Sequence, residues 1–261
     1  MWDRRVSVKT EEQIALMRES GKLLAEAFAL AESLVAPGIS SMEINTKVDE
    51  FLTGKGGDPA FKGYKVGKQT FKYACCMSQN EAVVHGIPTD TPLVEGDILS
   101  VDIGVEKNGW FADSAWTYPV GEIAPEIAKL LEVTKESLML GIAHAKDGGR
   151  IYDISKAIQD YCHSHEYGIV KDLVGHGIGE ALHEEPQVPN YVPRRFDKEY
   201  KNLPLVEGMT LAIEPMITLG TWRVRTLKDG WTVVTADGKP SAHFEHTVVV
   251  RKWGGEILTK L

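Results

Sequence analysis

The chain runs to 261 residues with 43% apolar and 25% charged content, enough for one sizeable hydrophobic core and ordinary for a globular protein. A formal charge of -8 offers phosphate backbones and anionic lipid no general attraction, which argues against a direct nucleic-acid or membrane partner. No run approaches the roughly eighteen apolar residues of a spanning helix, and the opening MWDRRVSVKTEEQ has no signal-peptide core, so a cytoplasmic protein is expected.

One domain over residues 1–261 is expected, with residues 1–10 as an extended arm. Thr10-Glu11-Glu12-Gln13 has the form of a capping box. Ile14, Met17, Leu24, Phe28, Ala31 and Val35 then recur on one helical face until Pro37-Gly38 stops the run. A second helix is predicted from about Ser41 to Leu52, ending at the glycine-rich TGKGGDP, and an irregular aromatic stretch, AFKGYKVGKQTFKYACC, follows. Further helices are predicted near 125–146 and 152–165, with strands near 73–78, 97–105, 109–118, 209–218, 231–235 and 242–251. The Arg194-Arg195 pair in NYVPRRFDKEYK is diluted by acids and reads as a solvated loop. Cys75, Cys76 and Cys162 suit neither a disulfide framework nor a thiolate zinc site; they read as packing residues, with Cys76 a candidate pocket wall. The mixed order of elements predicts an α+β fold around a mostly antiparallel sheet with helices outside.

An internal repeat organises the rest. PLVEGDILSVD (92–102) and PLVEGMTLAIE (204–214) share five leading residues, a leucine at one offset and an acid at the last position, 112 residues apart. A His-Gly-Ile tripeptide precedes each, at His85 and at His176. Duplication explains this better than chance. Two related halves meeting about a pseudo-twofold axis would let Asp102 and Glu214 face each other.

Each repeated strand is followed by another acid. In SVDIGVEKNGWFADSAW, Asn108-Gly109 signals a two-residue hairpin. With that loop Asp102 opposes Ala115, Gly104 opposes Asp113, and the two aspartates share a face. Gly104, lacking a side chain, is expected to leave room for an ion opposite Asp113. In the second half the Asp237-Gly238 turn precedes SAHFEHTVVV, which places Glu245 on a strand. Asp102, Asp113, Glu214 and Glu245 would then converge among Val101, Ile103, Leu211, Ile213, Val248 and Val249. Acids so placed repel one another and lose several kcal/mol each to desolvation, so cations must neutralise them. His176 adds one imidazole. An oxygen-rich set with a single nitrogen favours two divalent ions drawn from Mn, Fe, Co or a non-structural Zn, and hydrolysis as the reaction, with Glu214 placed to accept a proton from water.

The stretch VGHGIGEALHEEP (174–186) does not by itself say what His176 and His183 do. It is neither HExxH nor GxGxxG, so a metal pair, an acid-base pair and a glycine loop all remain open.

Together NEAVVHGIP, VDIGVEKNGWFAD, GHGIGEALHEEPQV, AIEPM and SAHFEHTVVV resemble the pita-bread metallopeptidases, and type I methionine aminopeptidases in particular, from about Glu11 to Val250. The resemblance implies that Asp102 and Asp113 hold one metal, that Asp113 and Glu245 bridge to a second completed by His176 and Glu214, and that Glu214 is also the general base. It implies that His183 donates to the scissile carbonyl oxygen and that His85 contacts the amide nitrogen after the first methionine. His176 is then a ligand and His183 is not. Tyr64, Phe71, Cys76, Leu182 and Trp231, with Phe61, match the walls of the methionine pocket. The implied substrate is the N-terminus of a peptide or nascent protein with a small second residue, met by a monomer in transient contact with the ribosome. Two other readings share the fold: an Xaa-Pro peptidase, a group that usually carries a separate N-terminal domain and lacks the FEHT wording, and a metal-free binding protein, which the complete ligand set opposes.

Overall fold

The computed structural model describes residues 6–67, 69–193 and 200–260. The first half of the expected arm and the Arg194-Arg195 pair lie outside them. Helix α1 (Glu11–Leu34) begins as its sequence requires: Gln13 N–H donates to Thr10 Oγ1 at 3.3 Å and Thr10 N–H to Gln13 Oε1 at 2.9 Å. Helix α2 (Ser41–Gly54) has a second capping box, Ser40 with Glu43. Helix α3 (Pro125–His144) starts on a proline, whose missing N–H costs nothing there. In α4 (Ile151–Ser164) Asp153 accepts from the Arg150 N–H at 2.7 Å.

The helices cover a nine-stranded sheet whose main path runs Asp58–Pro59, Ile98–Lys107, Trp110–Pro119, Glu245–Arg251, Thr210–Ile213, Gly175–Gly177 and Glu184–Val188, with Cys75–Gln79 and Gly254–Ile257 paired beside it. Every strand pairing in it is antiparallel. The hairpin register is as predicted: Asp102 faces Ala115 and Gly104 faces Asp113. Its turn residues Asn108 and Gly109 have φ of 56° and 81°, the left-handed pair that such a loop demands. The expected opening at Gly104 is not there. A Cβ on Gly104 would lie 3.0 Å from Phe61 Cε1 and 3.1 Å from Ala60 Cβ, so the absent side chain admits the 60–61 segment, not an ion.

The two halves are built alike. In one, Leu24, Phe28, Ile44 and Leu52 pack on Leu99, Val101 and Ile103; in the other, Leu130, Leu138, Ile151 and Ile158 pack on Leu211, Ile213 and Val248. The turn before the second helix of each pair bonds to the start of the repeat. Gly38 N–H reaches the Leu93 carbonyl (2.8 Å) and Leu93 N–H that of Ile39 (2.7 Å); Gly148 N–H reaches the Leu205 carbonyl (3.1 Å) and Leu205 N–H that of Gly149 (2.8 Å). Bridges Ser40–Pro92 and Arg150–Pro204 complete the match.

Two predicted strands are broken. The run 209–218 divides into Thr210–Ile213 and Met216–Thr218, and 242–251 into Ser241–His243 and Glu245–Arg251. Ile213 pairs with His246 and Met216 with His243, so both chains leave the large sheet at one level and enter a three-stranded sheet with Gly168–Ile169. Pro215, without an N–H to donate, sits at the break. Glu214 therefore lies off the strand on which it was predicted.

Candidate metal and catalytic site

Threonine and serine hydroxyls lock the acid-bearing strands together. Asp113 N–H donates to Thr247 Oγ1 (2.9 Å), and that hydroxyl donates to the Asp113 carbonyl (2.8 Å). Ser114 Oγ donates to the Glu245 carbonyl at 2.6 Å. Thr117 holds His243 the same way, accepting from its N–H and donating to its carbonyl, both at 2.9 Å. His176 Nδ1 lies 2.8 Å from the Gly177 carbonyl. It donates there, which leaves the Nε2 lone pair for the site. Ligand atoms of Asp113, His176 and Glu245 lie within 4.8 Å of one another. Glu214 completes the ring: its Oε1 is 3.6 Å from His176 Nε2, and Asn190 Nδ2 donates to its carbonyl at 2.9 Å.

No lysine or arginine lines this cluster among the described residues. Burial pushes Asp102 up to about 7 and Glu214 up to about 8; burial and then mutual repulsion hold Asp113 and Glu245 well above the usual carboxylate range. Burial also lowers His176 to about 3, keeping it neutral. Asp102 Oδ1 and Glu245 Oε1 are buried without a hydrogen-bond partner among the described residues. Unpartnered carboxylate oxygens facing one neutral imidazole are the donor chemistry of a divalent ion, and the residues fit one.

The cluster lines a cavity of about 370 Å³. Phe61, Tyr64, Phe71, Cys76, Leu182 and Trp231 line the remainder, so every residue predicted for the pocket is on its wall. Phe71 and Trp231 meet edge to face at 5.2 Å. Tyr64 Oη is 3.2 Å from His183 Nδ1, and the His183 ring centroid is 4.4 Å from that of His176. His85 closes the Ala82–Val84 strand at φ 57°. Gly86 after it must be glycine, since a Cβ there would lie 2.2 Å from the Met77 carbonyl oxygen. A second chamber of about 410 Å³, which includes Gln187, Met216 and His243, meets the first at His85, Asp102, Leu173, His176, His183 and Glu214.

Leu173, Thr226 and Val233 also line the cavity and were not predicted. The more consequential omission is His243. It is 2% exposed, its Nε2 is 3.6 Å from Glu214 Oε2, and neither ring nitrogen has a hydrogen-bond partner among the described residues. The signal was its place two residues before Glu245 in the run 242–251, where an alternating strand would have put both on one face.

With this geometry in hand, the likeness to known proteins is decisive. Residues 15–252 match the model of metallopeptidase family M24. The chain belongs to metallopeptidase family M24. Its relatives include methionine aminopeptidase 1 of Bacillus subtilis, 46% identical over 97% of this chain and 98% of that protein, and the methionine aminopeptidase of Clostridium perfringens, 45% identical over 97% and 98%. Among solved structures, the methionine aminopeptidase of Thermotoga maritima superposes with a TM-score of 0.92 at 42% identity, covering 98% of this chain and all (100%) of that one. A prolidase from Pyrococcus furiosus shares the fold at TM-score 0.77 and 22% identity, but the match covers only 66% of its length. For this M24 metallopeptidase the pita-bread fold and the use of divalent ions follow from membership.

Proposed function

We propose that this M24 metallopeptidase is a methionine aminopeptidase, hydrolysing the first peptide bond of chains that begin with methionine and continue with a small residue. The observation that carries it is one cavity lined both by the acid cluster and by the apolar Phe71, Trp231, Cys76 and Leu182. A linear thioether fills such a wall through dispersion and sulfur-aromatic contact. Asp102, Asp113, His176, Glu214 and Glu245 would hold two divalent ions, which polarise a carbonyl and make water nucleophilic near neutral pH.

The chain's own groups do the rest. Glu214, off the strand and 3.6 Å from both His176 and His243, accepts the proton of the attacking water. Tyr64 Oη lies 3.2 Å from His183 Nδ1; in the tautomer this reading requires, the hydroxyl donates to Nδ1 and the proton sits on Nε2, which His183 offers to the carbonyl oxygen as it gains charge. His85, on the wall common to both chambers, meets the amide after the first residue and sterically limits the second. The reading extends to a cytoplasmic monomer acting on nascent chains, in transient contact with the ribosome.

The test is cleavage, followed chromatographically, of Met-Ala-Ser, N-acetyl-Met-Ala-Ser, Met-Lys-Ser and Ala-Pro by metal-replete protein. Release of methionine from the first alone is expected. Preferential cleavage of Ala-Pro would establish the Xaa-Pro reading, and cleavage of the acetylated peptide would show that the amine does not set the register.

A further inference from the structure

The loop 179–184 carries Leu182 and His183, and the N-terminal arm grips it from outside. Lys9 is only 6% exposed. Its Nζ lies 2.5 Å from Glu184 Oε2 and donates to Ser7 Oγ, which in turn donates to Glu184 Oε2 at 3.1 Å. The other oxygen, Glu184 Oε1, accepts the Ala181 N–H at 3.1 Å, so one carboxylate both closes the loop and fastens it to the arm. The arm itself is fixed, with Lys9 N–H donating to the Gly208 carbonyl at 2.9 Å and Val6 bridging to Glu185. Gly179 is where the lysine stem crosses: a Cβ there would lie 2.4 Å from Lys9 Cε and 2.7 Å from Nζ. The third glycine of GHGIG is thereby explained. Burial opposes the charge on Glu184, yet Lys9, the Ala181 amide and Ser7 hold its carboxyl below the usual range.

A buried ammonium is costly unless paired, and Lys9 lines neither chamber. We propose that Lys9 is a positioning residue: through Glu184 and its packing on Gly179, it fixes the 179–184 loop so that His183 stays in register with the acid cluster. This rests on the role given to His183 above.

The test is steady-state kinetics on Met-Ala-Ser with metal-replete wild type, K9M, K9R, H183A and K9M/H183A, with metal content and Tm measured alongside. K9M is expected to lose roughly tenfold in kcat, less than H183A, with metal content unchanged, because small misplacement of a reacting group costs rate steeply. K9R should recover most of it. In the H183A background, K9M should change kcat little while lowering Tm as much as before, since coupled residues do not add. Equal K9M losses with and without His183, or an unchanged kcat in K9M, overturn the proposal and leave the peptidase reading standing. Full kcat in H183A overturns the proposal together with the role given to His183 and leaves the peptidase reading standing, whereas a wild type that leaves Met-Ala-Ser intact overturns both. Should K9M fail to fold, G179A, which displaces the lysine stem, replaces it in the same cycle with the same expected and overturning results.

Discussion

The two copies of the repeat began alike and now differ where it matters. In the first, Asp102 sits in an unbroken ten-residue strand of a regular hairpin. In the second, the strand ends at Ile213, one residue before the equivalent acid, and resumes in another sheet. The intact copy holds Asp102 and Asp113 on one regular hairpin. The broken copy frees Glu214 to face His176 and His243 together, and opens the excursion between Met216–Thr218 and Ser241–His243 that carries Trp231 to the cavity. Both halves contribute to the acid cluster, and the second, where its strand breaks, brings Glu214, the proposed base, and Trp231 to a cavity whose Phe61, Tyr64, Phe71 and Cys76 come from the first.

The comparison is broken most severely by taking the ions away. Chelation should abolish cleavage of Met-Ala-Ser, and divalent Co, Mn or Fe should restore it; activity surviving exhaustive chelation would remove the metal from the account. Next in size is the division between the two histidines of the glycine-rich stretch. H183A should keep its metals and lose on the order of 10²-fold in turnover, as for an oxyanion donor, whereas H176A should weaken metal binding. Equal metal loss in both, read by elemental analysis, would contradict that division.

The broken half is sharpened by W231A. Loss of a buried aromatic contact should raise KM for Met-Ala-Ser several-fold with metal content intact; a change in kcat alone would place Trp231 outside the pocket. A smaller effect concerns pH. Asp102 at about 7 and Glu214 at about 8 titrate above their ordinary carboxylate values in the folded protein. The stability they contribute is therefore whole below their ordinary carboxylate values and is lost as pH rises from there through the folded values. Chelated protein should show a Tm that falls between about pH 5 and pH 8, and added Mn should flatten that fall. A Tm of chelated protein that rises over that range would reverse the sign.

Much of this was legible in the residues, for identifiable reasons. Asn108-Gly109 admits few loop geometries, so the register of Asp102 and Asp113 followed from counting. Helix α1 was legible from its capping box and apolar stripe. The breaks at Glu214 and Phe244 were not, because both flanks of each run are apolar and alternate equally well whether or not the strand is continuous; only Pro215 hinted at one. Strands such as Gly175–Gly177 and Ala82–Val84 are too short for a period and exist by tertiary pairing. Glu184 lies outside the acid set that the repeat singles out, and nothing in the sequence pairs it with Lys9. That pairing with a buried lysine makes E184A a stability variant, since removing one partner leaves the other charge buried.

The central claim is that carboxylates from both halves share one metal centre, and Asp113 is the residue on which it turns, held in the intact hairpin yet clustered with Glu245 and His176. The direct measurement is the metal content of purified D113A after equilibration with Mn, read beside its turnover of Met-Ala-Ser and its Tm. Folded protein that has lost nearly all metal and turnover is the result expected; stoichiometric metal with wild-type turnover would contradict the account.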